Sequence, residues 1–363
     1  MLVAAMAVVA VLAPRVPSWL PASADAIDPV VLRDRILESG QRPYQGYAEI
    51  SGTLALPELP EMADVTALLS STTRVRAWYA APARWRFDVV TTAGERDVYG
   101  TPDGEFTWDY GANLLTRLVG TPPVRLPRAG DLLPPDLARR VLSSAGDDPV
   151  AALPARRVAG HAVPGLRLTP ADPDTTIGHV DMWADSDIGL PHAVEVTARG
   201  ADRPVLVTRF LELSTTPPAA EVLTPRLAQG SGFTVAEAPD IANALGVLGD
   251  ARPPALLAGR PLREADAGGV RGVGVYGTGL SAFVALPLPR GTGRDAADAV
   301  LDAGGESVEL PGGQAFHLSI APLSVVVVRS PVARRSYLLA GLATPELLLD
   351  AAAELSMVPR SGR

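Results

Sequence analysis

Alternating apolar and polar side chains dominate residues 44–213 and predict a long antiparallel sheet. In "ARWRFDVV", Trp85, Phe87 and Val89 fall on one side of a strand and alternate with charged residues. In "GEFTWDY", Phe106 and Trp108 again share one side. Short gaps such as "AG", "PDG" and "GAN" have the chemistry of hairpin turns. We therefore predict that these aromatic side chains share the interior face, with Arg84, Arg86 and Asp88 on a face exposed to water.

Two segments within this sheet pattern predict helices. "DPVVLRDRILESG" begins with Asp28 as a potential N-cap and Pro29 in the first turn. "LLPPDLARRVLSSAG" (132–146) has two prolines near its start and Gly146 after its end. The segment "ELPEMADVTALLSSTT" lacks strand alternation and predicts a loop or a short helix. We expect these helices to close one side of a curled sheet.

The pattern changes after residue 213 and predicts a second, smaller unit. Residues 214–245 are rich in Pro, Ala and Gly and are typical of a linker. Beyond them, "GVYGTGLSAFVALPL", "QAFHLSI", "LSVVVVRS" and "SYLLAG" favour strands, while "GRDAADAVLDAGG" and "TPELLLDAAAELS" favour helices. The division expected is 1–26 for an N-terminal segment, 27–213 for the large sheet domain, 214–245 for the linker and 246–363 for a small α/β sandwich.

The N-terminus resembles an export signal. The apolar run "MLVAAMAVVAVLA" is too short to span a bilayer and is followed by small-x-small sites at residues 22–24 and 24–26. A signal peptide predicts a mature chain beginning near Asp25 or Ile27 in an extracytoplasmic location. The alternatives are a buried N-terminal helix or, if translation starts further upstream, an uncleaved membrane anchor.

Composition excludes several classes of function. Among 363 residues, 47% are hydrophobic and 20% are charged, which is enough for a substantial core. The formal net charge of −8 gives no general attraction to nucleic acid. Because the sequence contains no Cys, disulfide bonds and thiol chemistry are excluded.

No catalytic or cofactor motif has its required context. Gly272, Gly274 and Gly277 form a G-x-G-x-x-G string, but a strand pattern follows it where a dinucleotide site needs a helix. We interpret that string as a loop entering a strand. His179 and Asp181 share a strand face near Trp183, yet a metal site needs three or four ligands that converge. We therefore expect a polar pair on a half-exposed strand there, and no catalytic residue, cofactor or metal in the chain.

The aromatic side chains admit two interpretations. They belong to an ordinary core, or they line an apolar cavity that two helices and a loop leave incompletely filled. For the second interpretation the predicted cavity lining is Ala48, Ile50, Leu54, Ala77, Trp85, Phe87, Val89, Phe106, Trp108, Leu168, Met182, Val194 and Phe210.

The segments "RVRAWYAAPARWRFDVV", "ERDVYGTPDGEFTWDYGANLLTRL" and "VAGHAVPGLRLTPADPDTTIGHVDMWADSDIGLPHAVEV" resemble the LolA-like lipoprotein-carrier superfamily, and most closely its MucB/RseB regulator family. The resemblance implies an α+β fold: a half-open antiparallel β-barrel closed by helices. It also implies binding of a lipid, an acyl chain or a lipoprotein, and contact with a membrane-bound anti-sigma factor. The chain lacks the lipobox Cys of related carrier lipoproteins, so anchoring by acylation is not expected.

The leading hypothesis is an extracytoplasmic lipid- or lipoprotein-binding protein without catalysis, acting in envelope-stress signalling or in lipid and lipoprotein handling. The first alternative is a protein-interaction scaffold whose barrel is filled by its own side chains. The second is a hydrolase, which would need a coherent cluster of titratable groups in one cleft.

Overall fold

The computed structural model describes residues 23–54, 63–91, 94–120, 127–227, 229–238, 246–248, 251–332 and 334–359. The apolar N-terminal run, on which the export prediction rests, lies outside these residues. Within the described part, the chain forms two sheets and several helices, a mixed α+β architecture. None of the helices in these ranges combines the length and apolarity needed to cross a membrane.

The first sheet has twelve strands and is curved without closing into a barrel. Its order is β12-β6-β5-β4-β3-β2-β1-β11-β10-β9-β8-β7, so β12 and β7 are its two edges. All neighbours are antiparallel except β12 and β6. The strands are β1 Tyr44–Gly52, β2 Thr72–Ala81, β3 Arg84–Thr91, β4 Gly94–Thr101, β5 Gly104–Asp109, β6 Leu114–Val119, β7 Val150–Val158, β8 His161–Leu168, β9 Ile177–Ala184, β10 Pro191–Ala198, β11 Leu206–Ser214 and β12 Gly232–Glu237.

Strand alternation gives this sheet two chemically different faces. We call the side carrying Ala48, Val75 and Phe87 the inner face, and the opposite side, carrying Tyr47 and Arg76, the outer face. The predicted alternation along β1 is confirmed, since Ala48 and Ile50 are buried while their neighbours are partly exposed.

Helices cover only part of the inner face. The described helices here are α1 Pro29–Glu38, α2 Ala63–Ser70 and α3 Pro134–Ala145. α1 packs on β7 and β8, α2 on β1 and β2, and α3 on β10 and β11. In α3, Ala138, Leu142 and Ala145 recur on one side of the helix and are buried against the sheet. The helix ends at Gly146, whose φ of +61° suits glycine.

The predicted linker contains a strand. β12 lies within residues 214–245, and it pairs in parallel with β6, from Gly232 beside Leu114 to Glu237 beside Val119. "GFTVAE" is short and weakly alternating, so its pairing depends on the edge that β6 offers rather than on a strong pattern of its own.

The second sheet has eight strands in the order β13-β14-β15-β16-β20-β19-β18-β17. Helices α4 Arg290–Asp302 and α5 Pro345–Met357 pack on its opposite faces. For example, Val326 contacts the α5 side, while Val327 belongs to the α4 side, which explains the apolar run in β19. The strands are β13 Leu256–Leu257, β14 Arg260–Ala265, β15 Gly274–Tyr276, β16 Phe283–Leu288, β17 Glu306–Leu310, β18 Gly313–Ile320, β19 Leu323–Ser330 and β20 Arg335–Gly341.

Polar contacts join the two sheets. Arg260 at the start of β14 forms ion pairs with Asp172 at 2.8 Å and with Asp174 at 2.7 Å, and Ser281 donates a hydrogen bond to Asp172. Although burial raises the pKa of Asp172, the hydrogen bonds from Arg260 and Ser281 dominate and lower it to about 2. A β-bridge between Thr175 and Ala343 continues this junction.

Candidate functional site

Most of the predicted cavity lining is packed core. Seven of those residues are at most 1% exposed and lie on the inner face: Ala48, Ile50, Ala77, Leu168, Met182, Val194 and Phe210. They share one hydrophobic cluster with Leu32 and Ile36 of α1 and with Leu142 of α3. Leu54, just after β1, is also buried, and its N–H donates to the carbonyl of Leu69 in α2. The protein's own side chains therefore fill the space between the inner face and the helices.

From β3 onwards, apolar side chains on the inner face are less completely buried. Trp85 and Val89 are only partly buried against the core cluster, and Val98 of β4, which pairs with Phe87 between them, is half-buried on the same face. Leu118 of β6 is half-buried on the same face. We call the partly covered apolar surface of Trp85, Val89, Val98 and Leu118 the open inner face.

Two glycines shape the boundary of the open inner face. The Trp85 ring lies across Gly100 of β4, where an added Cβ would come within 2.2 Å of the ring. Phe87 is covered by the segment around Gly130, where a Cβ would come within 2.4 Å of the Phe87 ring. Trp85 and Phe87 stack with their centroids 4.7 Å apart, and the Trp85 Nε1–H donates to the carbonyl of Pro82. The last aromatic rings before the open inner face are thus held in fixed positions.

The expectation that all four aromatic side chains share the inner face is wrong for two of them. Asp97, an outer-face residue of β4, pairs with Trp108, and Tyr99 pairs with Phe106. Phe106 and Trp108 therefore lie on the outer face, in a cluster with Tyr99 and Leu115. The alternation predicted within each strand was correct. Which face a residue shares with residues of the next strand depends on the hairpin register, and the turn sequences alone did not define that register.

Asp88 and Arg86 also differ from the prediction, because the outer face is not exposed to water at these two residues. Asp88 is 1% exposed and Asp97 is fully buried. The Arg86 guanidinium lies between the rings of Trp78 and Tyr99, 5.1 and 5.0 Å from their centroids. Its Nε and Nη2 donate to the two oxygens of Asp88 at 2.6 and 2.7 Å, and Nη2 also donates to Asp97 at 2.8 Å.

The electrostatics of this outer-face cluster follow from burial. Desolvation raises the pKa of Asp88 to about 7, against the lowering effect of the hydrogen bonds from Arg86, and the neighbouring Asp97 raises it further. Burial by itself would lower the pKa of Arg86, but its hydrogen bonds with Asp88 raise the value above the usual range. Arg86 is therefore a permanent cation, and the carboxylates carry the variable charge.

An open hollow of about 560 Å³ lies beside this cluster on the outer face. A register shift between Tyr47 and Ala48, where β1 meets β11, helps to form it. Its lining mixes aromatic, charged and polar side chains and consists of Gln45, Gly46, Tyr47, Arg76, Trp78, Glu212, Leu213 and Ser214. It differs from the apolar cavity expected from the sequence in both place and chemistry.

The two polar positions singled out in β9 lie in one ion-pair group with Arg167, and Asp181 is buried there, only 7% exposed. The Arg167 Nε and Nη2 donate to the two oxygens of Asp181 at 2.7 Å each. The Nε2 of His179 lies 3.9 Å from Asp181. Gly272 precedes strand β15, Gly274 begins it and Gly277 follows it, and the chain continues through one short 3-10 turn into strand β16 rather than into an α-helix.

His192 is a buried polar group that the sequence pattern did not indicate. It is 1% exposed, lies 5.4 Å from the ring of His161, and neither of its ring nitrogens has a hydrogen-bond partner among the described residues. Burial lowers its pKa to about 4, with a further contribution from His161. A single histidine in an apolar run gives no sequence signal of such burial.

The curved sheet with helices on one face is similar to the fold of a solved MucB structure. In line with the resemblance predicted from the sequence, solved structures of MucB and of LolA-superfamily proteins are similar to it. A crystal structure of MucB in complex with MucA(peri) matches with a TM-score of 0.50 and 16% identity, covering 92% of this chain and 100% of that one.

Two further solved structures match at lower TM-scores. The MucA/MucB complex of Pseudomonas aeruginosa gives a TM-score of 0.49 at 15% identity, covering 90% of this chain and 97% of that chain. A LolA superfamily protein of Nitrosomonas europaea gives 0.25 at 14% identity, covering 55% of this chain and 99% of its own. No family model and no curated protein matches the sequence. At 16% identity, the likeness to the MucB complex with a TM-score of 0.50 shows the fold alone.

Proposed function

We propose that this protein is an extracytoplasmic, non-catalytic binding protein that takes up an apolar chain at the open inner face and contacts a membrane-bound anti-sigma factor. The observation that carries the proposal is the change along the inner face from a sealed core to partly covered apolar side chains at Trp85, Val89 and Val98. Partly covered apolar side chains in a concave sheet favour a ligand that removes them from water.

The chemistry of the open inner face fits an acyl chain better than a polar ligand. Trp85 offers a large flat ring, and Val89, Val98 and Leu118 add aliphatic surface on three adjoining or nearby strands. The indole N–H of Trp85 is already used by the Pro82 carbonyl, which leaves the apolar surface of the ring for contact. A hydrocarbon chain that covers about 100 Å² of this surface would gain roughly 2–3 kcal/mol.

The overall fold supports the proposed contact with a membrane-bound anti-sigma factor. The likeness to MucB in its complex with MucA(peri) extends over both units of this chain, since it covers 92% of the residues. A partner of the MucA kind is therefore the first one to test. Titration calorimetry of the full chain with the extracytoplasmic segment of an anti-sigma factor from the same genome is the direct assay. Saturable binding supports this part, and absence of heat with every such segment contradicts it.

The matched pair Val89→Arg and Val90→Arg tests ligand binding. Val89 points to the inner face, whereas Val90, on the same strand, points to the outer face and is 37% exposed. With a fluorescent fatty acid as the probe, we expect Val89→Arg to weaken binding at least tenfold and Val90→Arg to leave it within twofold. Urea midpoints of both variants control for folding. Equal affinities in the two variants would contradict the proposed site.

The scaffold alternative has its own support. Seven predicted lining residues are almost fully buried in a core, so the inner face beneath the helices has no need of a ligand. If the wild-type protein binds no apolar probe but binds an anti-sigma segment, the scaffold function is the correct one.

A further inference from the structure

Three carboxylates converge on the outer face, away from the open inner face. Asp88 of β3 and Asp97 of β4 are directly paired across the two strands, and Glu95 lies two residues before Asp97 on the same side. One oxygen from each carboxylate lies within 4.8 Å of the others. Asp88 and Asp97 are buried, whereas Glu95 is half-buried and gives access from solvent.

The charges of this cluster do not balance within it. When ionised, the three carboxylates carry three negative charges, and Arg86 supplies one positive charge through its contacts with Asp88 and Asp97. Carboxylates held this close in a partly desolvated site repel one another strongly. A charge of +2 would neutralise the remainder.

One buried oxygen has an unused acceptor position. Asp97 Oδ2 accepts hydrogen bonds from Arg86, Tyr99 and Tyr110, at 2.8, 3.2 and 3.3 Å. Asp97 Oδ1 is also buried, but among the described residues it has no hydrogen-bond partner. A buried, unpaired carboxylate oxygen is costly unless a ligand satisfies it.

We propose that Asp88, Glu95 and Asp97 bind a hard divalent cation of the Ca²⁺ or Mg²⁺ class. Carboxylate oxygens are the ligands these ions prefer, and waters entering beside Glu95 would complete the coordination. The ion would link β3 and β4 across the outer face. The site is independent of the apolar ligand and of the protein partner.

The experiment is a titration of metal-free, full-length protein with CaCl₂, MgCl₂ and MnCl₂, followed by calorimetry and by the thermal midpoint. We expect saturable binding of at least one ion, with a Kd below about 1 mM, as in extracellular Ca²⁺ modules. Glu95→Gln removes one ligand while leaving the Arg86 ion pairs intact, and it should weaken binding at least tenfold. Asp97→Asn should abolish binding.

Glu49→Gln is the matched control. Glu49 is an outer-face carboxylate on β1 that already pairs with Arg209 at 3.1 Å, so its loss should leave ion affinity unchanged. Absence of saturable binding up to about 10 mM, well above the range for such modules, would overturn the proposal. Binding that is unchanged by Glu95→Gln would overturn it as well.

Discussion

The two halves of the first sheet share the same alternation of side chains, but they differ in how completely the inner face is covered. In the half formed by β1, β2 and β7–β11, helices cover the inner face, and residues such as Ile50 and Phe210 are sealed from water. In the half formed by β3–β6, inner-face side chains such as Val98 and Leu118 are only half-buried. An apolar stripe on a curved sheet is therefore accessible to a ligand only where no helix of the chain already covers it.

Deleting a large side chain from the covered half should have the largest effect. Phe210 is 1% exposed and packs edge-on against Tyr44, with ring centroids 5.6 Å apart. We expect Phe210→Ala to lower the free energy of unfolding by about 3–5 kcal/mol, because a cavity remains in the core. The urea midpoint measures it. A loss below about 1 kcal/mol would mean that the covered half is loosely packed.

Acidification should destabilise the covered half through His192. Its pKa is about 4 in the folded chain and about 6.5 when unfolded, so between these values the unfolded state binds more protons and stability falls as the pH falls. The full effect is about 3 kcal/mol. Urea midpoints from pH 7.5 to 4 should fall less steeply for His192→Gln than for the wild type. Parallel curves would contradict the buried neutral histidine.

Adding bulk to the covered half should cost stability rather than displace ligand. Ala77 is fully buried in the core cluster, where it lies across from Gly46 of β1 and Phe87 of β3. Ala77→Leu should lower the free energy of unfolding by about 1–3 kcal/mol through overpacking. Chemical denaturation measures this, and a variant of unchanged midpoint that no longer binds a fatty-acid probe would instead place a cavity under the helices.

Trimming the open half should have the smallest effect on stability. Val98 is half-buried, so Val98→Ala should lower the free energy of unfolding by no more than about 1 kcal/mol. The same change should weaken binding of a fatty-acid probe severalfold. A large drop in the denaturation midpoint without a change in binding would show that Val98 is ordinary core and remove the distinction between the halves.

The sequence predicted local structure better than the assignment of side chains to faces. Helix α1 with Asp28 as N-cap and Pro29 in its first turn is as predicted, because caps act within a few residues. Phe106 and Trp108 were assigned to the wrong face, since hairpin register couples residues on different strands. The outer-face cluster of Arg86, Asp88 and Asp97 was missed for the same reason.

Burial beneath helices was equally hard to predict. The sequence placed Ala48 and Phe210 correctly on an apolar side of the sheet, but it carried no measure of how far α1 and α3 extend over that side. The strand β12 was hidden within a Pro- and Gly-rich segment because its pairing partner, β6, lies more than a hundred residues earlier. These features depend on tertiary contacts between distant segments.

A crystal structure of the protein with a brominated fatty acid tests the central claim most directly, because bromine can be located by its anomalous signal. We expect a bromine peak against the open inner face, within contact distance of Trp85, Val89 or Val98. A peak beneath α3, among Met182, Val194 and Phe210, would contradict it.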